Sequence, residues 1–485
     1  MTWFGAGLSG AHSANLKGDL PAALDAPEGW ENPYMTIQLS DHFTVGRLLR
    51  FTFPSIVMLI FTSIYGVVDG FFVSNFVGKT PFAAVNFIMP FLLVLGCVGF
   101  MFGTGGGALI AKTMGEGKRE EANRIFSLLV YLSLASGIVL AVLGLVLLRP
   151  VARLLGAQGQ MLEDCVTYGR IILAAVPAYV LQYEFQCLFA TAQKPKLGLY
   201  VTVAAGLTNA VLDALLVAVF PCGLRGAAAA TALSQCVGGI LPLLYFLRPN
   251  TSLLRLTRTR FDGKAVLKTC TNGSSELMSN ISMSLVSMLY NVQLLRYAGE
   301  DGVAAYGVLM YVNLVFQAAF LGYAVGTAPV VSYHYGAGHH GELQSLLRKS
   351  LGIVACFSVA MCGAAELLAK PLSVLFVGYD QELLGITLEG FAIYSFSFLF
   401  SGFAIFGSSF FTALNDGLVS ALISFLRTLV FQVVAVLLLP LLLGLQGIWL
   451  SMVAAEAMAV GVTAVLLAAN RRKYHYWGRL STPER

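Results

Sequence analysis

Long apolar runs alternate along this chain with short breaks rich in charge, glycine or proline. As a helix, about 20 apolar residues cover the ~30 Å of a bilayer's hydrocarbon core. Runs of that length predict spans near 46–73, 83–111, 124–148, 162–190, 196–220 and 225–247. A second set follows near 263–297, 302–333, 346–369, 382–411, 418–443 and 446–470. The expected fold is an all-α integral membrane protein with twelve transmembrane helices.

The polar breaks reveal a repeat. Sliding the chain by about 221 residues lays Gly115-Glu116-Gly117 on Gly336-Ala337-Gly338 and Ala83-Ala84 on Ala304-Ala305. The same shift lays Gly78 on Gly299 and Gly223-Leu224 on Gly444-Leu445. Six spans per half let both halves start from the same side, so the repeat is parallel, about an axis along the membrane normal. The expected plan is a mostly disordered tail over 1–44, an N-lobe over 45–247 and a basic linker over 248–262. A C-lobe over 263–470 and a tail over 471–485 complete it. Two such lobes suggest rocking about a central cavity; a duplication without motion is the plainer alternative. Residues 1–34 hold no apolar run, and Met35 precedes the first helix signal, so residues 1–34 are expected to be dispensable, with Met35 an alternative start to Met1.

Composition excludes whole classes. Hydrophobic residues make up 57% and charged residues 11%, against roughly 25% charged in soluble domains. The net charge of +5 does not point to nucleic acid, because the Lys and Arg lie between apolar runs rather than along one face. Lys112, Lys118, Arg119, Arg124, Arg248, Arg255, Arg258, Arg260, Arg471 and Arg472 all fall on one set of loops. The positive-inside rule then places both termini in the cytoplasm. The expected location is the inner (plasma) membrane. Eight cysteines form no C-x-x-C, and His334, His339 and His340 lack a carboxylate pair, so neither disulfides nor a bound metal are expected. The glycines of 103–107 are followed by no Lys-Ser/Thr, and no catalytic signature occurs, so neither ATP use, nor a cofactor, nor enzymatic activity is expected.

What chemistry there is lies inside the apolar runs, where a carboxylate is costly and marks an ion or substrate path by default. Asn209 and Asp213 stand four apart on one face of the fifth span. Asp69, with Tyr65 one turn before it, lies near the outer end of the first span, and Thr231 two turns into the sixth. Two carboxylates, an amide carbonyl and a hydroxyl at one depth suit Na⁺, and the same acid pair could share a proton. The plainer alternatives are that Asp69 sits at the interface and that Asn209 joins helices. Glu276 lies deep in the seventh span among small polar residues and suits a cationic substrate or a proton relay; a helix-helix hydrogen bond is the alternative. Glu456 is similarly deep. Arg427 is expected to snorkel to the surface, and Glu184, Glu366 and Glu389 to be solvated near span ends.

The phrases FPSIVMLIFTSIYGVVDGFFV, ALIAKTMGEGKREEANRIF, TNAVLDALL and GLRGAAAATALSQ resemble the multidrug and toxic compound extrusion (MATE) family over about residues 36–470. The resemblance is to the bacterial branch that includes the staphylococcal multidrug exporter. It implies that Asp69, Asn209, Asp213 and Thr231 form an N-lobe cation site. It also implies an antiporter that exchanges a cytoplasmic drug for inward-moving Na⁺ or H⁺. Apart from the resemblance, the expected partners are small-molecule organic cations and the bilayer, and the chain is expected to be a monomer. Some members pair a seventh-span Glu with a tenth-span Asp. Glu276 matches the first, but FAIYSFSFLFSGFAIF contains no Asp, so a complete C-lobe site is not expected. A flippase for a lipid-linked saccharide is the second reading.

Overall fold

The computed structural model describes residues 37–378 and 380–477, which are helical nearly throughout, with no strand among the described residues. The expectations placed on residues 1–34 fall outside them. The first six helices are α1 (Val45–Phe72), α2 (Lys79–Gly115), α3 (Arg119–Leu155), α4 (Gly159–Thr191), α5 (Pro195–Val219) and α6 (Gly223–Leu247). After the linker come α7 (263–298) and α8 (300–336), one continuous helical stretch broken at Gly299, where φ is 62° and ψ −151°. Then follow α9 (His340–Val377), α10 (Gln381–Ala413), α11 (Gly417–Leu443) and α12 (Leu445–Tyr474). Many exceed the bilayer's need by a turn or more, so they tilt or project past the hydrocarbon.

Local signals set the ends. Pro195 opens α5, where its missing N–H is not needed. Asp262 Oδ1 accepts from the Lys264 and Ala265 amides at 2.9 and 3.3 Å and so caps α7. The side chains face as a bilayer demands. On α3, Val139, Val142 and Val146 are 56–68% exposed, whereas Gly137, Ala141 and Gly144 on the opposite face are buried. Large apolar residues face lipid and small ones face helices, because close approach rather than water expulsion holds membrane helices together.

The repeat is visible in the backbone. Gly78 and Gly299, Gly117 and Gly338, and Gly223 and Gly444 all have positive φ, and each pair is 221 residues apart. Each lobe has its own apolar core, one around Tyr168, Val176 and Val217, the other around Tyr290, Phe391 and Trp449.

The lobes meet along α1, α2, α7 and α8, in the half nearest the linker. A Cβ on Gly115 would lie 2.1 Å from the Tyr333 carbonyl, and one on Gly336 would lie 2.1 Å from the Lys112 carbonyl. Those two contacts are the same contact exchanged by the repeat, as expected on a pseudo-twofold axis. Polar side chains reinforce the seam. Asn272 Nδ2 donates to the Gly105 carbonyl across it at 3.3 Å and to the Thr412 carbonyl in its own lobe at 2.9 Å. Ser332 Oγ lies 2.6 Å from the Ala108 carbonyl and 2.7 Å from that of Ala413.

The described end of the expected tail is packed down. Leu39 and Phe43 are fully buried, and the Phe43 amide donates to Glu342 Oε1 at the head of α9 at 3.0 Å.

Candidate functional site

Two of the helices that carry the candidate residues change pitch right after them. α1 gives way to a π-helical turn at Val73–Val77, four residues after Asp69, and α5 turns π-helical over Ala214–Val219, directly after Asp213. Such turns are frequent at functional sites, because they re-aim the side chains before them.

All four expected cation ligands come together in the half of the N-lobe away from the linker. Thr231 Oγ1 lies 3.2 Å from Asp69 Oδ1 and 3.1 Å from the Ala227 carbonyl, so its single proton serves one of the two. Asp69 also faces Asn209 and Asp213. Asp69 is 8% exposed, Asn209 1% and Asp213 0%. Neither carboxylate oxygen of Asp213, nor Nδ2 of Asn209, has a hydrogen-bond partner. Buried polar groups are satisfied as a rule, so an acid pair left like this is expensive unless something binds there. Carboxylate, amide and hydroxyl oxygens are the donors that a hard cation takes.

Tyr65 stands beside the cluster. Its ring covers Gly206, where a Cβ would come within 3.0 Å of Tyr65 Cδ1, and it lies near Asp69 and Gln182. Sequence reasoning missed Tyr168 of α4, whose buried, unpartnered hydroxyl neighbours Asp69, Asp213 and Thr231. No spacing singles it out, because only helix packing brings α4 there.

Glu276 is not part of this cluster. It lines a small cavity at the lobe seam with Thr104 and Cys187 from the N-lobe and Leu321 and Ser409 from the C-lobe. Its charged neighbour is Arg427. Arg427 does not snorkel, contrary to expectation. Its Nε donates to Glu456 Oε1 and Oε2 at 3.1 and 2.9 Å, and its Nη2 to Gln317 Oε1 at 3.1 Å. A charged partner in the bundle outcompetes a distant headgroup layer. Glu184 is also misplaced by the sequence reading: it is 0% exposed, with both carboxylate oxygens buried and unpartnered. The linker-side turn of α4 is walled in by α2 and α3, so nearness to the helix end brings no solvent.

The MatE family model matches residues 54–215 and again residues 277–438, most of each lobe in turn. The chain belongs to the MatE family. Members of the MatE family are multi-pass membrane transporters and not enzymes. The multidrug export protein MepA of Staphylococcus saprophyticus is 22% identical over 73% of this chain and 80% of its own length. MepA of Staphylococcus aureus is 20% identical over 85% of this chain and 90% of its own. Among solved structures, an outward-facing multidrug resistance MATE transporter of the MOP superfamily superposes with a TM-score of 0.85. It is 22% identical, over 91% of this chain and 100% of that one. MATE in complex with MaL6 gives a TM-score of 0.84 at 22% identity, over 89% and 98%. At this identity the structures establish the MatE fold of the chain.

Proposed function

We propose that the protein is a cation-coupled antiporter of the plasma membrane that exports cationic or amphipathic organic compounds by alternating access. The observation that carries the reading is Asp213, fully buried beside Asp69 with neither oxygen satisfied. Uptake of Na⁺ or H⁺ among Asp69, Asn209, Asp213 and Thr231 relieves that repulsion. It thereby favours whichever packing of α1, α5 and α6 closes around the bound cation. The basic loops put the linker face and both termini in the cytoplasm. With the seam closed on that face, we take the described state as the one in which an external cation enters. Cation binding is then linked to opening of the cytoplasmic seam, where Glu276 supplies negative charge for an organic cation. The protein works as a monomer, since both lobes and the seam between them belong to one chain.

Counterflow of a fluorescent organic cation in proteoliposomes tests this, with a Na⁺ gradient and a pH gradient imposed separately. One gradient should drive uphill movement. Glu276→Gln should slow cationic dyes more than neutral or zwitterionic ones. No response to either gradient, together with movement of a lipid-linked saccharide, would establish the flippase instead.

A further inference from the structure

The linker joining the lobes is fastened to the N-lobe along its length. The Arg255 amide donates to Asn123 Oδ1 at 2.9 Å and the Thr257 amide to Ser127 Oγ at 2.7 Å, both on α3. Upstream, Ser252 Oγ donates to the Ala192 carbonyl at 3.2 Å, and Leu254 is fully buried. So held, residues 258–262 run past the head of α3 and leave a groove of about 770 Å³ between linker and helix. Small organic ligands occupy pockets of about 300–1,000 Å³, so the groove is large enough for a phospholipid headgroup.

Its lining combines cations with apolar surface. Arg124, Arg258 and Arg260 bring three guanidinium groups, while Ile125 and Leu128 form an apolar wall, and Phe261, 75% exposed, stands at the edge. Glu121 and Asp262 also line it, so three guanidinium groups against two carboxylates leave the lining net positive by one, with Asp262 Oδ1 turned to the α7 amides it caps. Among the described residues neither Arg258 nor Arg260 forms an ion pair. Arg124 reaches Glu120 only at 4.0 Å, a geometry that contributes little. The groove lies between the head of α3 and the residues leading into α7, at the linker-side ends of two helices long and apolar enough to cross a membrane.

We infer that this groove binds the headgroup phosphate of an anionic phospholipid. Guanidinium forks match phosphate oxygens. A soluble phosphate has no use for the apolar wall or for Phe261, whereas the glycerol and first acyl carbons of a lipid do. A lipid held there bridges bilayer and linker, fixing the segment that must bend when the lobes move. The inference is independent of which compound is transported.

Native mass spectrometry of the full chain released from detergent tests it, titrating phosphatidylglycerol against phosphatidylcholine. The R258Q/R260Q variant should bind phosphatidylglycerol about thirtyfold more weakly and leave phosphatidylcholine unchanged, at the usual scale per surface arginine. An R471Q/R472Q control on the same face should match the parent. Parental occupancy in R258Q/R260Q overturns the inference, as does an equal loss in the control, which would mean diffuse surface charge. Displacement of the lipid by millimolar inorganic phosphate would make it a soluble-phosphate site, and also overturns it. Should the double variant melt below the parent, Arg124→Gln, on α3 rather than the linker, is held to the same criteria.

Discussion

The two lobes share one backbone plan and fill its key position in opposite ways. Asp69 lies nine residues before Gly78, and Tyr290 nine before Gly299. Gln193 and Asn415, both with φ near 60°, match at an offset of 222. The π-helical turn Leu426–Val430 then adds one residue to α11, so that Asn209 corresponds to Gln432 and Asp213 to Val436. Thr231 corresponds to Met452 through Gly223 and Gly444. In the C-lobe these residues close on themselves. The Tyr290 hydroxyl donates to Gln432 Oε1 at 2.8 Å, Ser451 Oγ lies 2.8 Å from the Tyr290 oxygen, and Gln432 Nε2 faces Met452 Sδ. One lobe holds a buried carboxylate pair in which neither oxygen of Asp213 is satisfied; the other holds a neutral, satisfied network. A polar cluster that needs nothing is a support, and one that lacks partners is poised to bind.

The sharpest way to break this comparison is Asp213→Asn. The substitution keeps the shape and removes a buried ionisable carboxyl that has no partner. Uphill export should fall on the order of tenfold to a hundredfold, the scale of about 1.5–3 kcal/mol for a contact to a charged group. The melting temperature in detergent should stay level or rise, because functional sites are held at a cost in stability. Parental uphill export would remove Asp213 from the coupling site. A large drop in melting temperature would make the cluster structural, like its C-lobe counterpart.

Tyr290→Phe is the mirror experiment. Gln432 Oε1 and Ser451 Oγ lose a partner in a buried place, which costs about 1–3 kcal/mol. Thermal unfolding in detergent should register that loss, while counterflow of an organic cation stays near the parental rate. Lost counterflow with an unchanged melting point would show that the C-lobe network works in transport as the N-lobe cluster does.

Much of this was legible in the sequence, and the rest was hidden for physical reasons. Span positions follow from apolar run length, and the repeat from glycines that need positive φ, both local properties. Asp69, Asn209, Asp213 and Thr231 were findable because a carboxylate in an apolar run is conspicuous and 3.6-residue spacing fixes a helix face. Arg427 and Glu184 were misread because their surroundings depend on which helices wall them in. A rule based on distance from a helix end cannot supply that. Tyr168 was invisible for the same reason, since one tyrosine among 19 carries no mark of the helix it faces. The neutral C-lobe network was hidden by register, because the offset is already 222 at Asn415 and the π-turn adds one more, which moves Gln432 off the simple 221-residue alignment.

The smallest expected effect lies at the linker-side turns before α5 and α11, where the repeat sets Lys194 opposite Asp416. In the C-lobe, Asp416 Oδ2 accepts from Lys473 Nζ at 2.8 Å and from the Tyr474 hydroxyl, and Oδ1 from the Val419 amide at 3.4 Å. Partial burial works to raise its pKa, but these hydrogen bonds prevail and hold the carboxyl below its ordinary range. A group depressed in the folded state contributes stability that is fully present above its unfolded value, about 3.9 for Asp, and lost as pH falls through the folded value. Lys473 is largely exposed, so the contribution is about 1 kcal/mol or less. Asp416→Asn should therefore lower the melting temperature slightly at pH 7, and the gap to the parent should close on acidification below about pH 4. Lys194→Gln, the corresponding change in the N-lobe, should show no such closing gap. A gap for Asp416→Asn that widened in acid would mean that the carboxyl is held protonated, and that its bonds to Lys473 and Tyr474 do not tie the end of α12 to the head of α11.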